Sequence, residues 1–165
     1  MSMICTLRQI DAAEIDDLLS HPQHIGDVLD GDEAAQGAET DLDKAWHGIH
    51  FLLTGSAWEG DEPLCYLITG GQPVGDEDVG YGPARVLRPE EVAQFDAALA
   101  AISLDDFCQR FDPTTMMAQH IYPEIWDRDP REDDTLGYLA EYFDMLKTFV
   151  RDSAETRKGL LVWLD

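Results

Sequence analysis

The sequence predicts an α+β fold: one domain over residues 1–165, with a mixed or antiparallel sheet that includes both terminal strands and several packed helices. Strand-like apolar runs stand near both ends of the chain, at 3–7 and 160–164. Between them, helical patterns occur in irregular number, without the regular alternation of a doubly wound protein. No glycine-rich turn joins a strand directly to a helix, which removes the usual sequence signal for nucleotide binding.

The first part of the chain predicts two short helices after the N-terminal strand. The capping-box spacing at 11–14 precedes an apolar pattern typical of a helix. Pro22 then stands at the first position of a second helix, where its missing N–H leaves no hydrogen bond unmade. The acidic stretch 31–39 has no periodicity and predicts an exposed loop, leading to Thr40 or Asp41 as the cap of the next helix.

Residues 42–55 predict one helix with two different faces. The helical period places four polar residues on one stripe of its surface: Asp43, His47, His50 and Thr54. A second stripe is apolar and is expected to face the core; it consists of Leu42, Ala45, Trp46, Ile49, Leu52 and Leu53. The first stripe is therefore the best candidate for a site in the whole sequence.

The middle of the chain predicts two further strands, at 64–68 and 84–87, separated by a segment rich in glycine and proline. The unbroken apolar run at 64–68 is typical of a strand that is buried on both faces. Helix starts follow at Pro89, Ser103 and Asp112.

The C-terminal part predicts the longest helix and then a central strand. Apolar residues three and four apart form one helical face: Leu136, Leu139, Phe143, Leu146 and Val150. The run 160–164 is too apolar for a surface edge, so we expect it inside the sheet. Deleting residues 160–165 should therefore abolish folding.

Acidity is the strongest compositional signal, with 34 acidic against 11 basic side chains and a net charge of −23. Such a surface repels phosphate backbones and anionic headgroups, so nucleic acid and membrane surfaces are not expected as partners, whereas basic proteins are attracted. The plainer interpretation is that the charge keeps the protein in solution. Short apolar runs and no secretory signal predict a cytoplasmic location, and the three cysteines predict reduced core thiols.

His47 and His50 leave three interpretations open. The imidazoles could bind a metal ion or act as acid and base, with Asp43 orienting His47. They could instead bond to backbone carbonyls as structural groups, or form one wall of a ligand pocket. A zinc or iron site would need further ligands, for which the candidates are His120, Glu124 and Asp127. The structural interpretation is favoured, and no metal or other cofactor is predicted.

Tyr81 and Arg85 form a second candidate site. Gly80, Gly82 and Pro83 surround them, so a rigid loop could present a phenol and a guanidinium to a small anionic ligand. The favoured alternative pairs Arg85 with one of the many carboxylates.

Three aromatic residues complete the candidate set. Trp46 borders the histidine stripe, and Tyr122 and Trp126 lie in the irregular aromatic stretch 121–126. They are expected to be core or interface anchors, because a base-stacking surface would also carry basic residues.

The chain resembles the YfbM-like family of small bacterial proteins, which is catalogued as a domain of unknown function. The resemblance rests on the sequence LDKAWHGIHFLLTG at 42–55, GYGPAR at 80–85 and the C-terminal segment 138–165. The segments 3–4 and 121–126 are similar as well. The resemblance implies a small single-domain fold in a bacterial cytoplasm, and it implies no activity, catalytic residue or cofactor.

Two functions follow as hypotheses. The first is a non-catalytic binding protein, of the inhibitor or immunity type, that uses its acidic surface or a cleft beside the His47/His50 helix to engage a basic protein or a small ligand. The alternative is a small metal-assisted hydrolase that uses His47, His50 and Asp43, with Arg85 as an anion clamp. A deep pocket where these residues meet would favour the hydrolase, and histidines bonded to backbone would favour the binding protein. The oligomeric state is left open.

Overall fold

The computed structural model describes residues 2–31 and 37–165. Five antiparallel strands form one sheet in the order β2-β1-β5-β4-β3. Their bounds are β1 Cys5–Ile10, β2 Glu39–Asp41, β3 Gln72–Pro73, β4 Arg85–Leu87 and β5 Gly159–Leu164. The α+β prediction, with both terminal strands in the sheet, is confirmed.

Strand β5 lies at the centre of the sheet, between β1 and β4. All six of its residues pair with β1, from Cys5 opposite Leu164 to Ile10 opposite Gly159. On its other side, Val162 pairs with Arg85 of β4. The predicted interior position of the C-terminal strand is confirmed, because β5 pairs with a strand on each of its two edges.

The described residues also form seven α-helices. Their bounds are α1 Ala12–Ser20, α2 Ile25–Asp30, α3 Trp46–Thr54, α4 Pro89–Ala100, α5 Leu104–Gln109, α6 Pro113–Ala118 and α7 Thr135–Glu155. Short 3-10 turns, Pro22–His24 and Asp43–Ala45, lead into α2 and α3. None of the helices in the described ranges is both long enough and apolar enough to cross a membrane.

Helices cover both faces of the sheet. On one face, Leu7, Leu160 and Val162 pack into the main core with α3 to α7. On the other face, Leu161 packs with Ile15 of α1 in a smaller core. Alternate residues of β5 thus face different cores, as the two-residue period of a strand requires.

Several helix starts follow the predicted capping chemistry. The side chains of Asp11, Ser103 and Asp112 each accept a backbone N–H three residues later. The predicted cap of α3 is wrong: Thr40 and Asp41 belong to β2, and α3 begins at Trp46 without a side-chain cap.

The predicted strand at 64–68 is wrong. The segment forms turns, in which the Ile68 and Thr69 amides donate to the Cys65 carbonyl. Tyr66 is buried there and stacks edge-on against Phe95. Of the loop predicted at 31–39, positions 32–36 lie outside the described residues, and Glu39 begins β2.

Candidate functional site

Helix α3 places both candidate histidines in the interior. His47 and His50 have no exposed surface, as expected for a helix that packs into the main core on nearly every side. Asp43 does not share this helix, because residues 43–45 form a 3-10 turn and Asp43 itself has a φ of +45°. The prediction of one continuous helix is therefore wrong at its first turn.

Both ring nitrogens of His47 bond to backbone. Nδ1 accepts the Tyr122 amide at 2.8 Å, so Nε2 carries the proton and donates to the Ala57 carbonyl at 2.7 Å. The ring stacks on Trp46, and Trp58 covers it at 4.3 Å between ring centroids. Burial lowers the pKa of His47, so the imidazole is neutral and has no free lone pair for a metal ion or a proton.

His50 is held by one hydrogen bond. Its Nε2 donates to the Glu59 carbonyl at 2.9 Å, and its Nδ1 is buried with no hydrogen-bond partner among the described residues. Burial lowers the pKa of His50 to about 4, and the positive charge of Arg85 acts in the same direction. The His50 imidazole is therefore neutral near pH 7.

Asp43 bonds to the long helix instead of to a histidine. The Tyr138 hydroxyl donates to Asp43 Oδ2 at 2.7 Å and accepts the Lys44 amide at 3.0 Å. This arrangement ties the turn before α3 to α7. Burial, and then the Asp43 carboxylate, raise the pKa of Tyr138.

The aromatic candidates anchor the core around α3. Trp46 Nε1 donates to the Met3 carbonyl, and Trp126 Nε1 donates to the Ile121 carbonyl. Tyr122 accepts the Met3 amide through its hydroxyl. Each buried aromatic ring thus has a partner for its polar atom, as a structural anchor requires.

The remaining predicted metal ligands lie elsewhere. His120 pairs with Glu124 at 2.8 Å on the surface, and His120 is 80% exposed. Asp127 is also exposed. None of the three bonds to His47 or His50 in the described part of the chain.

Tyr81 and Arg85 share a cleft of about 460 Å³. It lies at the end of β3, β4 and β5, between the loop at 68–71 and the loop at 81–83. Much of its wall comes from six residues: Ile68, Thr69, Pro73, Pro83, Val162 and Leu164. None of the residues in this lining is a histidine or a carboxylate.

Arg85 is half-buried on the wall of this cleft and forms no ion pair with a carboxylate in the described ranges. Its guanidinium donates to the carbonyls of Gly70 and Leu67, each at 3.0 Å. Burial lowers the pKa of Arg85, and the neighbouring Cys5 and Cys65 oppose that shift. A guanidinium remains charged under such a shift, so the cleft carries a positive charge that forms no ion pair within the described part of the chain.

A rigid loop holds Tyr81 at the mouth of the cleft. The Asp78 carboxylate accepts the amides of Gly80 and Gly82 at 2.8 and 2.9 Å. The Tyr81 amide donates to the Leu164 carbonyl, and a Cβ at Gly80 would lie 2.6 Å from that same oxygen. Glycine is therefore required at position 80, and the Tyr81 side chain stays 40% exposed.

Sequence reasoning missed a third group of side chains, formed by Asp17, His21 and His24. One ligand atom from each lies within 4.8 Å of the others. The spacing i, i+4 and i+7 is typical of one helical face, but α1 ends at Ser20 and His24 lies in the 3-10 turn that follows. Pro22 indicated a helix start between these residues instead.

The chain is an α+β protein that belongs to the family described as "Domain of unknown function (DUF1877)", whose model matches residues 1–163. The crystal structure of YfbM from Escherichia coli, described as a protein of unknown function, is similar at 22% identity with a TM-score of 0.76. The match covers 98% of this chain and 99% of that one. The resemblance to the YfbM-like family is thereby confirmed, and no curated protein matches the chain.

Proposed function

We propose that this protein is a non-catalytic binding protein whose site is the Arg85 cleft, and that it takes a small ligand with one anionic group and an apolar body. The observation that carries the proposal is the Arg85 guanidinium. It lines a cleft of about 460 Å³ and bonds to two backbone carbonyls, with no carboxylate partner among the described residues. In a chain with 34 acidic side chains, an arginine that forms no ion pair with any described carboxylate is informative.

The chemistry of Arg85 favours a planar or tetrahedral anion. A guanidinium carries five N–H donors in a fixed fork that matches carboxylate and phosphate oxygens. Gly70 and Leu67 hold the fork in one orientation, which reduces the entropy lost when a ligand binds. These two bonds use two of the five donors of the fork.

The walls of the cleft favour a ligand with an apolar body. Ile68, Pro73 and Val162 contribute apolar surface, and the Tyr81 phenol stands at the mouth. The volume falls within the range of roughly 300–1,000 Å³ typical of small-molecule sites. A small organic acid or a phosphate monoester matches this combination.

The net charge limits the size of the ligand. A surface of −23 repels a polyanion as it approaches. That field is screened over about 8 Å at physiological ionic strength, so the anionic group of a small ligand inside the cleft interacts chiefly with Arg85. This argument favours a small ligand with one anionic group over a nucleic acid or an anionic surface.

Two residues that the hydrolase hypothesis requires have structural roles instead. His47 has both nitrogens bonded to backbone, and Asp43 accepts from Tyr138. The lining of the Arg85 cleft holds no histidine and no carboxylate that could act as a general base. These observations support binding over catalysis.

A basic protein partner is the second candidate function. Trp58 is 55% exposed above His47, and the exposed residues Glu59, Asp61 and Glu62 follow it in the chain. An exposed aromatic ring among carboxylates is typical of an anchor for a basic surface. Binding of that kind would weaken steeply with salt, whereas binding in the Arg85 cleft would depend on salt only modestly.

The experiment is an NMR titration with acetate, hexanoate, benzoate and phenyl phosphate. We expect shifts at the amides of Gly70, Gly71 and Gly82, with benzoate binding at least about tenfold more tightly than neutral benzamide. Arg85→Gln should abolish the shifts. Arg131→Gln is the matched control, since it removes the same charge from an exposed side chain far along the sequence.

Two further variants separate binding from folding. Arg85→Lys keeps the charge but not the fork, and Tyr81→Phe removes only a hydroxyl at the mouth; both should weaken binding while the circular dichroism spectrum stays unchanged. The proposal is wrong if none of the four anions shifts the cleft amides, or if Arg85→Gln and Arg131→Gln bind them equally well.

A further inference from the structure

The end of helix α1 carries a group of side chains that the Arg85 cleft does not use. His24 Nδ1 lies 2.8 Å from Asp17 Oδ2, and His21 Nδ1 lies 3.3 Å from Asp17 Oδ1. The two imidazoles stack at 5.1 Å between ring centroids, with an interplanar angle of 17°. Both Nδ1 atoms therefore point at the same carboxylate.

The backbone fixes this arrangement. The His21 amide donates to the Asp17 carbonyl at 2.7 Å, and the His24 amide donates to the His21 carbonyl at 2.9 Å. Leu18 and Ile25, between and beside these residues, are buried in the smaller core. The three polar side chains thus extend from a segment that the smaller core holds in place, so little backbone freedom is lost when they converge.

We propose that Asp17, His21 and His24 form a binding site for a divalent transition-metal ion of the zinc class. In a tetrahedral zinc site, ligand atoms at about 2.0–2.1 Å from the metal are about 3.3 Å from one another. His21 Nδ1 lies 3.3 Å from one oxygen of the Asp17 carboxylate and His24 Nδ1 lies 2.8 Å from the other. One ligand atom from each of the three residues lies within 4.8 Å of the other two. Small side-chain rotations complete the triangle.

The donor set decides the class of metal. Two imidazole nitrogens and one carboxylate oxygen suit Zn²⁺ and its neighbours, whereas Ca²⁺ and Mg²⁺ require six or more oxygen ligands. Each side chain is about half-exposed, so water completes the coordination. In the metal-free chain His24 Nδ1 donates its proton to the Asp17 carboxylate, so a neutral ring moves that proton to Nε2, by exchange with water, before its Nδ1 lone pair binds the metal. A protonated ring releases its Nδ1 proton to water.

The chain provides a matched comparison in its other exposed histidine–carboxylate pair. His120 Nδ1 lies 2.8 Å from Glu124 Oε1, the same separation as between His24 and Asp17. That pair has no third ligand among the described residues. A two-ligand pair binds a metal ion far more weakly than three convergent ligands. A variant of His120 is therefore a control that shows whether binding requires three convergent ligands or only an exposed imidazole.

The test is isothermal titration of the full chain, without a histidine tag, with ZnCl₂. We expect one ion per chain with a micromolar dissociation constant, and at least tenfold weaker binding for each of Asp17→Asn, His21→Ala and His24→Ala. His120→Ala should bind within twofold of the unchanged protein. Carbon–proton NMR spectra of the histidines should show shifts at His21 and His24 and none at His120.

The possible results are distinct. Absence of stoichiometric Zn²⁺ binding at 100 µM protein would overturn the proposal, and so would equal losses in His24→Ala and His120→Ala. Asp17 is exposed and caps no helix, so Asp17→Asn keeps the test meaningful even where a histidine variant perturbs the helix end. Saturation of the Arg85 cleft by an anion is expected to leave the zinc affinity unchanged. A negative result for one of the two proposed sites therefore does not decide the other.

Discussion

The backbone amide of Tyr122 donates a 2.8 Å hydrogen bond to Nδ1 of His47, across 75 residues of sequence. This bond fixes the tautomer of the ring, because Nε2 must then carry the proton that bonds to Ala57. His47 therefore joins three segments: helix α3, the loop at 57 and the irregular stretch at 122. Its role is to satisfy two backbone groups that have no other hydrogen-bond partner among the described residues.

His47→Phe should lower the free energy of unfolding by about 2–5 kcal/mol. The phenyl ring keeps most of the volume but leaves the Tyr122 amide and the Ala57 carbonyl unpaired in the interior. Urea denaturation followed by tryptophan fluorescence measures the change. His120→Phe, at an exposed position, should stay within about 0.5 kcal/mol. Equal stabilities for the two variants would contradict the structural role of His47.

Acidification should destabilise the protein through His50. Its pKa is about 4 in the folded state and about 6.5 when unfolded, so the unfolded chain binds a proton between these pH values and the folded chain does not. The stabilising contribution is complete above pH 6.5 and is lost as the pH falls toward 4. The expected slope for this group is about 1.4 kcal/mol per pH unit.

His50→Gln should reduce that slope by about 1.4 kcal/mol per pH unit, which is the contribution of one proton. His47 titrates in the same direction, because burial lowers its pKa too, so part of the slope should remain. Urea midpoints measured from pH 7.5 to pH 4.5 provide the comparison. A variant whose stability falls with pH as steeply as that of the unchanged protein would rule out His50 as the titrating group.

Local rules predicted those parts of the fold that depend on neighbouring residues. Ser103 and Asp112 cap helices as their sequence positions indicate, and Gly55 ends α3 with a φ of +76°. The unbroken run in Gly159–Leu164 correctly predicted a central strand. Each of these signals lies within a few residues of the structure that it specifies.

A similar run of apolar residues led to the wrong prediction of a strand at 64–68. Periodicity does not separate a buried strand from a buried turn of five residues, and Tyr66 is held there by packing against Phe95, which is distant in sequence. Strand β2 carried no alternating pattern, because Glu39 and Asp41 are both exposed on an edge strand.

The candidate site was only partly accessible to sequence reasoning. The loop around Tyr81 and Arg85 was predicted as a second candidate site, and both side chains line one cleft. The partners of Arg85 are the backbone carbonyls of Leu67 and Gly70. Every residue has a backbone carbonyl, so a sequence pattern does not indicate which ones a side chain contacts. The favoured pairing of Arg85 with a carboxylate was for that reason wrong.

Deletion of residues 160–165 should abolish cooperative folding. The deletion removes nearly all of β5, so the partners of both β1 and β4 are lost and the sheet is divided. Leu160, Leu161 and Val162 are fully buried, and their removal exposes both cores. Thermal denaturation followed by circular dichroism should show no sigmoidal transition. A truncated chain that melts near the temperature of the complete chain would contradict the central position of β5.

Two glycines in helices give opposite predictions for the same substitution. At Gly48 in α3, an added Cβ would lie 2.7 Å from Leu139 Cδ2 and 3.0 Å from the Trp126 ring. At Gly26 in α2, nothing lies within 4 Å of the new atom. Alanine favours a helix over glycine by about 0.5–1 kcal/mol at either position, so the difference between the sites reports the packing alone.

Gly26→Ala should therefore stabilise the protein by about 0.5–1 kcal/mol, while Gly48→Ala should destabilise it by about 1–2 kcal/mol. Overpacking a buried contact typically costs about 1–3 kcal/mol, which exceeds the gain in helix propensity. Because α3 also carries His47 and His50, a shift of α3 away from α7 in Gly48→Ala would lengthen the bond from His47 to Tyr122. Urea denaturation gives the free energies, and the amide proton shift of Tyr122 reports that bond. Stabilisation by both substitutions would show that α3 and α7 are not in the close contact described.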